Sequence, residues 1–169
     1  MRTLSMEGHS TVRIIEAPDP VPGAGELVVR IAASAICGSE MHGYRGAGRP
    51  GSNSGHEAAG TVVALGEGVA GLEIGQRVGL SGVIGCGACA HCLAGRQTWC
   101  EHRLSYGSTH AEYVLTVPQA CHVLPADVPW EAGVLLTGDG MGVPYHTSTR
   151  LTDPRIRTVA IFGAGPIGL

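Results

Sequence analysis

The chain has 169 residues, of which 44% are hydrophobic and only 4% aromatic, and it contains 27 glycines and 10 prolines. This length suits one domain or slightly more, and the abundance of turn residues favours a strand-based fold over a helical bundle. The net charge of -3 is too small to indicate a nucleic-acid or membrane partner.

The N-terminal residues do not resemble a targeting segment. Residues 1–7 contain no apolar core of signal-peptide length, and no uncharged apolar run approaches the roughly 20 residues of a membrane span. We therefore expect a cytoplasmic protein. Thiols stay reduced in that compartment, so clustered cysteines indicate a metal site more often than disulfides.

The hydrophobic pattern predicts mainly strands, with a proline-rich turn at 18–23 and a short helical turn at 39–44. Strands are predicted at residues 1–7, 11–16, 26–36, 57–65, 76–80, 111–117, 120–124 and 158–162. The strand at 26–36 has the clearest pattern, with Arg30 and Ser34 on one face. It delivers Cys37 just beyond its end, a common place for functional side chains.

One helix region is predicted in the second half of the chain. The segment DVPWE predicts a helix start, with Asp127 as its cap. Gly138 and Gly140 are expected to interrupt this helix around Asp139, and a new helix is expected to begin near Pro144.

Four cysteines form the most specific motif, within residues 85–101. Their spacing is C-x2-C-x2-C-x7-C, at Cys86, Cys89, Cys92 and Cys100. Four thiolates this close can surround a tetrahedral ion, and a closed shell leaves no position for catalysis. The alternatives are an iron–sulfur cluster or two disulfides, and the second is disfavoured in a reducing compartment. We predict a structural zinc lobe.

Two other segments contain residues suited to an open catalytic zinc site. They are Cys37-Gly-Ser-Glu40 and Gly55-His-Glu-Ala-Ala-Gly60, which offer thiolate, imidazole and carboxylate ligands. Considered alone, Cys37 fits a buried thiol, His56 a hydrogen-bonded structural histidine and Glu57 a surface charge.

Together, these two segments and the cysteine spacing resemble the zinc-dependent medium-chain alcohol dehydrogenase family. The resemblance implies that Cys37 and His56 bind the catalytic zinc. It implies that Glu57 is a nearby carboxylate that can reach the metal when water leaves. Glu40 stands where the family usually has aspartate, and is expected to orient the ligating histidine.

The resemblance also extends to the segment LTGDGMGVPYHT at 136–147. There the family places its third zinc ligand, commonly cysteine and in some branches aspartate or glutamate, and Asp139 falls at that position. The alternative is an aspartate that caps a helix. Ser39 and His42 fall where the family has a hydroxyl–histidine proton relay, although His42 could be a plain surface histidine.

A candidate cofactor-binding motif lies near the C-terminal end of the sequence. The segment VAIFGAGPIG at 159–168 predicts a strand running into G-x-G-x-x-G, with Gly163, Gly165 and Gly168. These glycines permit a tight turn and the close approach of a pyrophosphate, which indicates NAD or NADP. The acid that selects the ribose is expected about 20 residues further on, beyond Leu169.

The resemblance covers essentially the whole chain but only about the first half of a family member. It implies a GroES-like, largely antiparallel β-barrel catalytic domain at 1–150. A linker, the first strand and the glycine loop of a truncated Rossmann domain then follow at 151–169.

The implied reaction is hydride transfer between an alcohol or polyol and NAD(P), with zinc as Lewis acid. We expect two zinc ions per chain, a small-molecule alcohol or carbonyl substrate, a homo-oligomer (dimer or tetramer) in the full-length parent, and no turnover by these 169 residues alone. The alternatives are a carbonyl reductase of the same family and a non-catalytic, zinc-stabilised module. The module would bind one zinc ion rather than two.

Overall fold

The computed structural model describes residues 1–104 and 106–168, and it is mainly β with short helices, as predicted. The strands are β1 (Arg2–Gly8), β2 (Thr11–Glu16), β3 (Leu27–Ala35), β4 (Glu57–Leu65), β5 (Arg77–Leu80), β6 (Tyr113–Thr116) and β7 (Cys121–Val123). Strands β1 and β2 form an antiparallel hairpin. The other five form an antiparallel sheet in the order β6-β3-β4-β5-β7.

The centre of the five-stranded sheet is buried on both faces. Successive residues of a strand point to opposite faces, and Ala58 and Ala59 are both fully buried. One face carries the main core, made of Leu27, Val29, Ala58, Val62, Val78, Leu80 and Val114. On the other face, Ala59 packs with Leu124 and Val134. Arg30 and Ser34 are both exposed, as the pattern of β3 predicts.

The segment at 110–112 connects the hairpin to the sheet. The backbone N–H of Leu4 donates to the carbonyl of His110 (2.9 Å), and that of Glu112 donates to the carbonyl of Arg2 (3.0 Å). On the other side, the N–H of Ile31 donates to the carbonyl of Glu112 (2.9 Å). This segment therefore lies between β1 and β3 and brings His110 towards the end of β3.

The helices are short. A 3₁₀ turn at Gly38–Glu40 leads into α1 (Met41–Arg45), and further 3₁₀ turns lie at Gln97–Trp99 and Pro118–Ala120. The remaining helices are α2 (Ala90–Leu93), α3 (Trp130–Thr137) and α4 (Asp139–Ser148). Among the described residues, no helix has the length and apolar character needed to cross a membrane.

Two details of the predicted helix region are wrong. Helix α3 begins at Trp130 with Pro129 as its N-cap residue, so Asp127 is not the cap. A proline disfavours helical geometry in the residue before it, which keeps the helix from starting earlier. The predicted break falls at Gly138, whose backbone is extended, but Gly140 and Pro144 both lie inside α4.

The strand predicted at 158–162 is also wrong. These residues form no strand, and Val159, Ile161 and Phe162 are 55%, 69% and 97% exposed. A parallel-sheet strand needs neighbours to pair its backbone and cover its side chains, and none of the described residues pairs with this segment. The glycine loop forms a turn in which the N–H of Gly168 donates to the carbonyl of Gly165 (2.9 Å). Leu169, the last residue of the predicted 151–169 segment, lies outside the described residues.

Candidate metal centre

Three predicted zinc ligands lie together although they are far apart in sequence. One ligand atom each from Cys37, His56 and Asp139 lies within 4.8 Å of the others. Cys37 follows β3 and His56 precedes β4, and the pairing of Ala35 with Glu57 makes these two strand ends neighbours. Helix α3 packs on β3 and β4, so the break after it places Asp139 beside the same ends. We call this group the mixed-ligand centre.

The ring of His56 is held in an orientation that suits metal binding. Its Nδ1 lies 2.8 Å from the carbonyl oxygen of Ser54. Because a carbonyl only accepts, the proton sits on Nδ1 and the lone pair of Nε2 is available to a metal. Burial lowers the pKa of His56, but the Ser54 carbonyl and the Cys37 sulfur outweigh it, so the pKa is raised overall.

The thiolate of Cys37 is favoured by its surroundings. The side chain and backbone N–H of Ser39 hydrogen bond the sulfur and lower the pKa of Cys37, with a further contribution from His56, while burial opposes them. Thiolate is the form of cysteine that binds metals. Ser39 and His56 therefore favour the form of Cys37 that would bind a metal ion.

Glu40 does not orient His56 in the way that the resemblance implies. Its carboxylate is buried, accepts the backbone N–H of Cys37 (3.1 Å), and lies 2.8 Å from Nε2 of His110. The closest approach to Nδ1 of His56 is 4.0 Å, and the Ser54 carbonyl takes that hydrogen bond instead. The carboxylate of Glu40 is instead engaged by His110 and by the backbone of Cys37.

Glu57 contacts the mixed-ligand centre through the backbone of Asp139. The buried carboxylate of Glu57 accepts the N–H of Asp139 at 2.8 Å. Asp139 is the first residue of α4, and its N-cap residue, Gly138, has no side chain to do this. Glu57 therefore caps α4 and holds Asp139 in place.

The four-cysteine lobe fits a mononuclear tetrahedral ion. The sulfur atoms of Cys86 and Cys92 are 4.0 Å apart, and those of Cys89 and Cys100 are 3.8 Å apart. A tetrahedron with a zinc–sulfur distance of about 2.3 Å has edges of about 3.8 Å. These distances are much longer than a disulfide bond, and all four cysteines are free.

The thiols of the lobe differ in their readiness to ionise. Backbone N–H groups of Ala88 and Cys89 lower the pKa of Cys86 to about 6. Burial raises the pKa of Cys92 to about 12. A cation bound by all four thiolates would displace the protons that the free thiols carry.

Four of the five remaining predicted site residues lie on the surface, and the fifth, Gly168, is half-buried. Ser39 belongs to the 3₁₀ turn after Cys37 and His42 belongs to α1, and both are exposed. Gly163 and Gly165 are exposed in the C-terminal loop, and Gly163 has a positive φ of 108°.

Sequence reasoning missed several residues around the centre. Ser54 acts through its backbone carbonyl, which carries no sequence signal. Ser34 and His110 meet each other only through tertiary packing, with Oγ of Ser34 2.9 Å from Nδ1 of His110. Asn53 is buried in the loop before His56, and its position among turn residues offers only a weak hint of a local role.

Comparison with known proteins identifies the class. Residues 23–126 match the family described as the alcohol dehydrogenase GroES-like domain, so the chain belongs to the zinc-dependent medium-chain alcohol dehydrogenase family. Both the resemblance and the GroES-like fold are thus confirmed.

Individual relatives are about one-third identical to this chain in sequence. Sorbitol dehydrogenase of Halalkalibacterium halodurans is 31% identical over 100% of this chain and 50% of that enzyme. L-threonine 3-dehydrogenase of Stenotrophomonas maltophilia is 35% identical over 96% of this chain and 50% of that enzyme. An alcohol dehydrogenase from E. coli CFT073, solved with NADH, superposes with a TM-score of 0.84 at 31% identity, covering 99% of this chain and 50% of that one. The chain spans about half the length of the curated relatives it matches.

Proposed function

We propose that this chain supplies the catalytic half of a zinc-dependent oxidoreductase that transfers hydride between an alcohol or polyol and NAD(P). The observation that carries the proposal is the convergence of Cys37, His56 and Asp139 from three separate elements. A module that uses zinc only for stability would need the four-cysteine lobe but no second, mixed set of ligands.

The mixed-ligand centre suits a catalytic zinc ion. Sulfur, nitrogen and oxygen ligands from three residues leave a fourth tetrahedral position for substrate. When bound there, zinc supplies Lewis acidity, which lowers the pKa of an alcohol or polarises a carbonyl. The chain contributes an orienting hydrogen bond from His56 to Ser54 and a thiolate stabilised by Ser39. Two anionic ligands, Cys37 and Asp139, would balance the charge of the ion.

We propose a different role for the second centre. The lobe formed by Cys86, Cys89, Cys92 and Cys100 would hold a structural zinc ion, because four thiolates close its coordination shell. A zinc ion there would fix a loop that has few regular elements of its own. Two zinc ions per chain are therefore part of the proposal.

The substrate proton would leave through Ser39 and His42. Ser39 contacts the sulfur of Cys37, and both relay residues are exposed, so a proton at the centre has a short route to solvent. His42→Gln should slow alcohol oxidation and leave the zinc content unchanged. Unchanged oxidation by this variant would remove His42 from the relay.

The nicotinamide cofactor would be held by the C-terminal glycine loop and the domain that such a loop normally opens. The G-x-G-x-x-G motif at Gly163, Gly165 and Gly168 supports this, as does the NADH bound to the related E. coli CFT073 enzyme. The loop is exposed here, and a glycine loop alone cannot position a nicotinamide against a substrate. We therefore expect the 169-residue chain by itself to show no turnover.

The test joins the chain to a complete nucleotide-binding half and follows NAD(P)H formation with primary alcohols, secondary alcohols and polyols. Wild type should turn over. Cys37→Ser should abolish turnover and keep the zinc of the four-cysteine lobe, with Cys121→Ser as a matched cysteine control outside both centres. Full activity of Cys37→Ser would contradict the proposal. Reduction of carbonyls without measurable alcohol oxidation would favour the carbonyl reductase alternative.

A further inference from the structure

A buried ionisable pair lies beside the mixed-ligand centre without belonging to it. Nε2 of His110 lies 2.8 Å from Oε2 of Glu40, and the two side chains are only 8% and 1% exposed. The other ring nitrogen, Nδ1, lies 2.9 Å from Oγ of Ser34 on the exposed face of β3. Both nitrogens of the ring are thus engaged, which fixes its orientation.

The His110–Glu40 pair is connected to Cys37, a proposed zinc ligand, through the second carboxylate oxygen of Glu40. Oε1 of Glu40 accepts the backbone N–H of Cys37 at 3.1 Å. This hydrogen bond spans the 3₁₀ turn at Gly38–Glu40 and fixes the backbone from which the Cys37 thiolate projects. Among the described residues, His110 forms no hydrogen bond with a proposed ligand, but it holds the Glu40 carboxylate, which does.

Asn53 fixes the backbone of His110 from the other side. Its Oδ1 accepts the N–H of His110 (3.3 Å) and the N–H of Gly55 (3.1 Å), and its Nδ2 lies 3.4 Å from the carbonyl of Leu4. Gly55 directly precedes His56. One buried amide therefore ties the loop of His110 to the segment that carries the second ligand.

The position of the Glu40 carboxylate matters because another partner is near. Its Oε1 lies 4.0 Å from Nδ1 of His56. A buried carboxylate that loses a partner is costly and moves to find another. Without His110, Glu40 could release the N–H of Cys37 and compete with the Ser54 carbonyl for Nδ1 of His56. Cys37 would then lose the hydrogen bond that fixes its backbone, and the ring of His56 would exchange its Ser54 partner for a different one.

We propose that His110 is a positioning residue for the mixed-ligand metal centre, where it holds the Glu40 carboxylate on the backbone of Cys37 and away from His56. This inference rests on the proposed zinc-binding role of that centre. It is particular to a chain with glutamate at position 40, because an aspartate is one methylene shorter.

The test measures zinc release to a chromogenic chelator and the visible spectrum of Co²⁺ bound in place of zinc. In His110→Phe, zinc should leave the mixed-ligand centre about 10-fold faster than in wild type, because lost support of a ligand typically weakens a metal site by that order. The Co²⁺–thiolate absorption should shift. Release from the four-cysteine lobe should not change, so the lobe is an internal control.

Four further variants separate positioning from simple destabilisation. His110→Gln keeps an amide donor for Glu40 and should restore most of the slow release. Ser34→Ala removes only the exposed partner of the ring and should stay close to wild type. If His110 acts through Glu40, adding His110→Phe to Glu40→Gln should speed release no further than Glu40→Gln alone.

Two outcomes would overturn the inference, and they differ from failure of the proposed function. Wild-type release kinetics in His110→Phe, or additive effects in the double variant, would show that His110 does not act on the centre through Glu40. Wild-type protein that binds zinc only in the lobe would instead overturn the proposed function, and this inference with it.

Discussion

Replacement of Glu57 tests how Asp139, the proposed third ligand, is held. The Glu57 carboxylate accepts the N–H of Asp139 at 2.8 Å and is the cap of α4. Glu57→Ala leaves that N–H without its partner and removes a negative charge from a helix N-terminus. We therefore expect a less stable protein even when the mixed-ligand centre holds no zinc.

The expected size follows from the contacts. A hydrogen bond to a charged group contributes about 1.5–3 kcal/mol, and a charge at a helix N-terminus about 0.3–1 kcal/mol. Asp139 is exposed, so water can replace part of the lost bond. We expect Glu57→Ala to cost about 2 kcal/mol, which in a chain of this size lowers Tm by about 4–8 °C. Glu57→Gln keeps an acceptor and should cost about half as much.

The assay is thermal unfolding with zinc retained in the lobe and removed from the mixed-ligand centre by a mild chelator. Asp139→Ala is the matched control, because it keeps the backbone N–H and loses only the proposed ligand. It should unfold within about 1 kcal/mol of wild type but bind one zinc ion fewer. If Glu57→Ala is destabilising only when the centre holds zinc, Glu57 acts on the metal rather than on α4.

Three further outcomes test other parts of the structure. Cys100→Ser should release the zinc of the lobe and lower Tm, since Cys100 is buried within the cluster; a normally stable variant with full zinc content would contradict the structural role. The Tyr106 hydroxyl, with the N–H of Gly23, lowers the pKa of Glu26. The contact therefore stabilises the folded state fully above the unfolded pKa of glutamate, about 4.3. This stabilisation is lost as the pH falls through the lower pKa that Glu26 has in the folded state. The Tm difference between wild type and Tyr106→Phe should therefore be largest near neutral pH and shrink below about pH 4, and a constant difference would contradict it. Gly60→Ala would push a methyl group into the backbone of β3 and should cost roughly 1–3 kcal/mol, whereas the matched helix variant Gly142→Ala meets open space and should cost nothing.

The strands with the clearest hydrophobic pattern could be predicted closely. The predicted strands at 11–16 and 57–65 coincide with β2 and β4, because each has a buried or paired surface within this chain. The pattern at 158–162 is as apolar as that of β4 but forms no strand. Apolar composition shows that a segment needs neighbours to cover it, and does not show that the neighbours are present.

The candidate ligands could be named from sequence because the family motifs join residue type to spacing. These motifs indicate Cys37, His56 and Asp139, and the structure brings the three residues together, although their roles as ligands stay predictions. The supporting contacts could not be predicted. The partners of Glu40 and Glu57 lie on distant segments, and the choice between them depends on side-chain length and on the packing of loops.

We propose two zinc centres in this chain, one of which is the mixed-ligand centre formed by Cys37, His56 and Asp139. The most direct measurement is the zinc content of purified wild-type protein and of His56→Ala, determined by elemental analysis under the same conditions. On this proposal, wild type should contain two zinc ions per chain and His56→Ala one, with the remaining ion in the four-cysteine lobe. A single ion in wild type, or two ions in His56→Ala, would contradict it.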